Sequence, residues 1–123
     1  MPDVGAESDF QEGRPALVTV RGREVAVVRW RGAFYAVAAR CPHMNALLSG
    51  GVVCPKLTGG ADVGMIELDE RVPTLACPWH GWLFDLHTGA PAWDGTYGIR
   101  TYRASCEDGR VHVSLDRVRA EPP

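Results

Sequence analysis

Short runs of β-favouring residues, punctuated by turn residues, dominate the chain from residue 15 onward. The runs ALVTV (16–20), EVAVVRW (24–30) and FYAVAA (34–39) are separated by Arg21-Gly22 and Arg31-Gly32. Each separator is a two-residue step of the kind that joins neighbouring strands, so the pattern predicts three strands of an antiparallel meander. Near the other end, IRTYRAS (99–105) and RVHVSL (110–115) flank Glu107-Asp108-Gly109. An Asp-Gly step supplies the positive φ angles of a tight hairpin, so these two runs are predicted to pair. Between the two regions MIEL, TLAC and WLFD read as small strands only, because Gly and Pro interrupt anything longer. No stretch repeats its apolar positions with a helical period over several turns. The expected fold is all-β, a small antiparallel β-sandwich or barrel.

Residues 1–14 are polar and Gly-rich, and 117–123 end in Glu121-Pro122-Pro123. Both segments are expected to fray, leaving one domain over residues 15–116. A chain of 123 residues, 46% hydrophobic and 23% charged, can bury a core of its own. A net charge of −2 with no basic run excludes a nucleic-acid binder. The first residues carry neither a cationic start nor an apolar stretch, and no window approaches a membrane span, so a cytoplasmic protein is expected.

Four cysteines change the picture. Two of them stand next to histidines, in Cys41-Pro42-His43 and in Cys77-Pro78-Trp79-His80-Gly81-Trp82. Cytosolic cysteines at such spacing point to metal rather than to disulfides. Pro42 and Pro78 fix φ beside each cysteine, while Gly50, Gly51 and Gly81 let the backbone bend tightly nearby. Two thiolates and two imidazoles suit two different centres. One is a tetrahedral structural zinc, although zinc modules usually cluster the cysteine pair and the histidine pair separately, whereas each box here mixes one of each. The other is a 2Fe-2S cluster with two histidines on one iron. Four thiolates would leave the oxidised cluster doubly negative; two thiolates and two neutral imidazoles leave it neutral, so it accepts an electron more readily. Potentials follow that order, roughly −150 to +300 mV against about −400 mV for plant-type ferredoxins.

CPHMNALLSGG and CPWHGWLFDLHTGAP resemble the two ligand boxes of Rieske iron-sulfur proteins, and the flanking strands with the closing DGRVHV hairpin resemble the same domain over most of residues 15–115. The resemblance implies a β-sandwich or barrel with a cluster-binding subdomain of two loops at one tip. It implies one 2Fe-2S cluster, with Cys41 and Cys77 on the inner iron and His43 and His80 on the outer, redox-active iron. High-potential members carry a further cysteine in each box, at positions that are Ala46 and Trp79 here, and a serine where this chain has Trp82. The resemblance is therefore to low-potential ferredoxin and oxygenase-type domains. Asn45 stands where glycine is usual, which a residue tolerant of left-handed backbone can do. Residues 44–76 between the boxes are longer than in compact members, and an insertion around Lys56 to Glu70, read as an exposed loop, accounts for the excess.

The implied function is a one-electron carrier, taking electrons from a flavin-containing or other reductase and giving them to an oxygenase. Only residues 83–123 follow the second box, which leaves no room for the further iron domain of an oxygenase and implies no catalysis by the chain itself. The alternative is a small subunit or accessory domain of a larger reductase of the nitrite-reductase type. Cys54 and Cys106 read as inert small residues, and His87 and His112 as structural or solvated. Trp79, Trp82 and Phe84 read as packing around the cluster, and Met44, Leu47 and Leu48 as an apolar rim about the exposed ligand edges.

Overall fold

The computed structural model describes residues 2–40, 47–59, 66–77, 83–89 and 99–117. Among these, nine strands form two antiparallel sheets. They are β1 (Asp3–Ala6), β2 (Pro15–Val20), β3 (Arg23–Trp30), β4 (Ala33–Ala38), β5 (Val52–Gly59), β6 (Ile66–Ala76), β7 (Leu83–Asp85), β8 (Thr101–Glu107) and β9 (Arg110–Arg117). The larger sheet runs β1-β9-β8-β4-β3-β2 and the smaller β5-β6-β7. The all-β expectation is met, as are the meander of β2 to β4 and the closing hairpin of β8 and β9.

The three hairpin turns share one backbone solution. Arg21, Arg31 and Asp108 have φ of 50°, 51° and 52°, and the glycines that follow each have φ between 74° and 82°. Two consecutive positive φ values define the turn whose twist matches right-handed strands, and glycine fills the second position without a Cβ penalty.

Strand β3 explains why two cores exist. Val25 and Val27 face a core with Phe10, Val20, Phe34, Tyr102, Val111 and Val113, while Ala26 and Val28 face a second core with Val37, Leu48, Leu75, Cys77, Phe84, Leu86 and Ile99. A strand buried on both faces reads as a nearly unbroken apolar run, and EVAVVRW is such a run. The larger sheet wraps the first core; the second lies between its outer face and the smaller sheet.

Three expectations are corrected. Residues 1–14 do not simply fray: β1 pairs with β9, and Phe10 is buried edge-to-face on Phe34 at 5.9 Å. Arg29 fastens this segment, its guanidinium donating to the Glu7 and Phe10 carbonyls and pairing with the Glu7 carboxylate at 3.1 Å. The small central strands are longer than expected, because β6 passes through Pro73. Pro55 and Pro73 sit opposite one another at the point where the register shifts, so the two residues without an N–H share one interruption of the ladder instead of breaking both strands. The insertion is also no plain loop: Lys56 pairs with Asp69 and Gly59 with Ile66, so its two arms extend the β5–β6 hairpin. Residues 60–65 and 118–123 lie outside the described residues.

Candidate metal centre

Both cysteine-histidine boxes stand between strand ends that pair with one another. The first box leaves β4 through Ala39 and Arg40, and the chain returns at Leu47, which pairs with Arg40 in an antiparallel bridge. The Leu48 N–H donates to the Ala39 carbonyl at 2.7 Å and closes that loop. The second leaves β6 at Ala76, and Leu83, the first residue of β7, pairs back with Ala76. The segments 41–46 and 77–82 are thus equal in length, each shut at its root by strand pairing.

The two roots are joined directly. After a single 3-10 turn over Leu48–Gly50, Val52 pairs with Ala76, which in turn pairs with Leu83. Gly51 makes the junction possible. A Cβ there would lie 2.0 Å from the Ala76 carbonyl oxygen and 3.1 Å from that of Leu48, so only glycine lets the returning limb of the first loop approach the outgoing limb of the second. Beneath the junction Leu48, Leu75 and Phe84 are fully buried in one core.

Cys77 sits at the base of the second loop, only 3% exposed and in no disulfide, among these apolar side chains. Cys41, His43 and His80 lie outside the described residues, as do Met44, Asn45, Ala46, Trp79 and Trp82. Phe84 packs in the core with Cys77, but Leu48 does not form a rim: it is buried beside the same thiol. The donor set itself fits an iron-sulfur group. A buried sulfur donor on one loop, with the other loop rooted against it, offers a water-poor inner side. Among the described residues no group of three or more metal-binding side chains gathers.

The remaining thiols and imidazoles have ordinary surroundings. Cys54 Sγ lies 3.3 Å from Thr74 Oγ1, and that hydroxyl donates to the Cys54 carbonyl at 2.9 Å. The Cys106 thiol is pushed up by partial burial and then by the neighbouring Glu7 carboxylate. His112 lies half-buried on β9, opposite Ser105. His87 is exposed with its ring 5.0 Å from that of Tyr35.

One residue carries more than its place in the sequence suggested. Asp85 is buried, and one carboxylate oxygen accepts the N–H groups of His87 and Thr88 at 2.7 and 3.3 Å. It thereby fixes the turn that ends the second box, and the signal was an Asp two residues ahead of a turn. Burial first, and then the Asp85 charge, raise the Tyr35 hydroxyl above the usual phenol range. The Gly89 carbonyl accepts the Ile99 N–H at 2.8 Å, and Ile99 joins the same core.

The model of the Rieske [2Fe-2S] domain matches residues 1–103. The chain belongs to this family. As a Rieske domain it binds one 2Fe-2S cluster. It is 33% identical over 114 residues to the ferredoxin component of the naphthalene 1,2-dioxygenase system of Pseudomonas putida, covering 89% of this chain and 90% of that one. A structure of the complex of reduced oxygenase and oxidised ferredoxin in carbazole 1,9a-dioxygenase contains a chain similar to this Rieske domain, with TM-score 0.71 and 30% identity, over 95% of this chain and 94% of that chain. A structure assigned to an NADH-dependent nitrite reductase small subunit from Mycobacterium tuberculosis superposes with TM-score 0.73, covering 91% of each chain. Its identity is 24%, a likeness of fold alone. No helix among the described residues is long and apolar enough to cross a membrane.

Proposed function

We propose that this Rieske domain is a ferredoxin: a one-electron carrier that takes electrons from a flavin-containing or other reductase, delivers them to an oxygenase in the cytoplasm, and turns over no substrate itself. The observation that carries the reading is the match to a dioxygenase ferredoxin component over nine-tenths of that component's length. A small subunit of a larger reductase is the weaker reading, since its support is the shared fold.

In this reading Cys41 and Cys77 hold one iron and His43 and His80 the other. The bound cluster supplies reversible one-electron chemistry, and its neutral oxidised form sets the potential above that of four-thiolate centres. The chain's own part is positional. Arg40↔Leu47 and Ala76↔Leu83 pin the loop ends, Gly51 holds the two roots in contact, and Leu48, Leu75 and Phe84 keep water from the sulfur side. A centre held by a rigid frame reorganises little on gaining an electron.

The test is anaerobic. Dithionite-reduced protein is expected to give a low-temperature EPR signal of a histidine-ligated 2Fe-2S centre, with two irons and two sulfides per chain. With excess dithionite removed, the signal of this chain should give way to that of the oxygenase when the oxidised oxygenase of the naphthalene 1,2-dioxygenase system is added, and return with its reductase and NADH. A zinc-only preparation would overturn the ligand assignment; a reducible centre that passes no electron to an oxygenase yet co-purifies with a large reductase would overturn the carrier role.

A further inference from the structure

We infer that the cleft at the root of the 41–46 loop is a docking point for an acidic side chain on the surface of a redox partner. The inference rests on the carrier reading and names the chemistry by which a partner would be recognised. The cleft measures ≈ 320 Å³ and is lined by Arg23, Glu24, Ala38, Ala39, Arg40 and Tyr102. The start of β3 forms one wall, the end of β4 another, and Tyr102 of β8 the floor.

Charge is the first argument. Within the lining, the carboxylate of Glu24 is held by Arg40 at 3.0 Å, so the only acid present is neutralised in the wall. Arg23 is exposed and forms no ion pair among the described residues. The Ala38 N–H donates to the Arg100 carbonyl at 2.9 Å, so the backbone of a third exposed arginine runs beside the lining residue Ala38. Among the described residues, this surface therefore carries a local surplus of positive charge on a chain whose net charge is −2. Guanidinium groups bind carboxylates in a planar two-point fashion, and the apolar walls of Ala38, Ala39 and Tyr102 accept the short methylene stem of an Asp or Glu.

Position is the second argument. Arg40 immediately precedes Cys41, and Arg100 follows Ile99, whose N–H donates to the Gly89 carbonyl. A carboxylate held in the cleft therefore anchors a partner beside the ligand loop. Complementary charge of this kind speeds encounter and fixes orientation, which suits the small, brief interfaces of electron carriers.

The test uses the loaded protein, reduced, in stopped-flow oxidation by ferricyanide, with hexaamminecobalt(III) as a cationic control. The wild-type rate constant with ferricyanide is expected to fall as ionic strength rises. The double variant Arg23→Glu/Arg100→Glu is expected to lower the low-salt value by about tenfold, to speed the cobalt reaction, and to leave the EPR signal unchanged. Arg23→Gln/Arg100→Gln should give an intermediate value and serves if charge reversal harms folding. Tetraglutamate is expected to slow ferricyanide oxidation of the wild type but not of the variant. Rates unaffected by the substitutions would overturn the docking point, and inorganic phosphate competing as well as tetraglutamate at equal charge would assign the cleft to a free anion instead. A wild-type protein with no reducible cluster would overturn the carrier reading itself, a separate result.

Discussion

Gly51→Ala tests whether the joined loop roots hold the metal centre. The backbone at Gly51 has φ −84° and ψ −172°, an extended conformation open to alanine, so the substitution carries no conformational penalty. Its cost is steric. The new Cβ would stand 2.0 Å from the Ala76 carbonyl oxygen. Carbon–oxygen contacts settle near ~3.3 Å, so the two segments must part by roughly 1.3 Å. Both sides of the contact are backbone, and neither can rotate away. The separation strains the Val52↔Ala76 pairing and, through Ala76, the Ala76↔Leu83 pair that closes the second loop. Losing one or two ladder hydrogen bonds at about 1 kcal/mol each, with strain of about 1–3 kcal/mol, gives a local destabilisation of roughly 2–5 kcal/mol. That corresponds to at least about a 30-fold rise in the open population of the loops.

Gly22→Ala is the matched control. Gly22 has φ +82°, and a Cβ added there would meet nothing within 4 Å, so alanine costs conformational energy alone, about 1–2 kcal/mol, in a turn of the β2–β3 hairpin. The assay is the rate at which the visible absorption of the oxidised cluster bleaches in a fixed, sub-denaturing concentration of urea. Gly51→Ala is expected to bleach at least tenfold faster than wild type, and Gly22→Ala within about threefold of it. Equal bleaching of Gly51→Ala and wild type, or faster bleaching of Gly22→Ala than of Gly51→Ala, would refute the coupling of the loop roots to the centre.

Phe10→Ala, which empties the edge-to-face contact with Phe34, is expected to cost about 3–5 kcal/mol and lower the thermal midpoint by several degrees or more, as seen by far-ultraviolet circular dichroism. His80→Cys, if a cluster assembles, adds negative charge to the centre and should lower its potential by on the order of 100 mV in protein-film voltammetry; an unchanged or higher value would contradict the charge argument. The hydrogen bond from Arg110 holds the Asp3 carboxyl below the usual carboxylate range. A lowered folded value contributes stability above the unfolded pKa, near ~3.9, that is lost as pH falls through the folded one. Exchange protection of the Val113 amide, which donates to the Pro2 carbonyl, should therefore weaken on acidification below about pH 4, and Asp3→Asn should remove that dependence.

What could be read from the chain was local. Arg21-Gly22, Arg31-Gly32 and Asp108-Gly109 announce their turns because positive φ is a property of two adjacent residues, and the observed angles agree. The family was legible for a similar reason, since the cysteine-histidine boxes that carried the resemblance are written into residue type and short spacing; of the four proposed ligands, the described residues include Cys77 alone. What was not legible depended on partners far away in sequence. The four residues of β1 include a glycine and no strong β-former beyond Val4; they become a strand because β9 offers an edge and Arg110 reaches Asp3 across 107 positions. Pro73 reads as a strand breaker until Pro55 is seen opposite it. Leu48 reads as surface because it follows a loop box, and is buried because the chain turns inward over Leu48–Gly50 to reach β5.

The two cores divide the work. Residues Val25 and Val27 bind β3 into the wrapped sheet, while Ala26 and Val28 present its other face to the loop-bearing sheet. The loop-bearing sheet is small, and a three-stranded sheet with a three-residue β7 has little stability of its own. It is therefore the outer face of β3 and β4, through Val28 and Val37 packed with Leu75, Cys77 and Phe84, that gives the loops a rigid base. Apart from Cys77, the contacts of that base are apolar and come from outside the two cysteine-histidine boxes. A frame set by packing at the loop roots is how a carrier can gain and lose an electron without remodelling its fold.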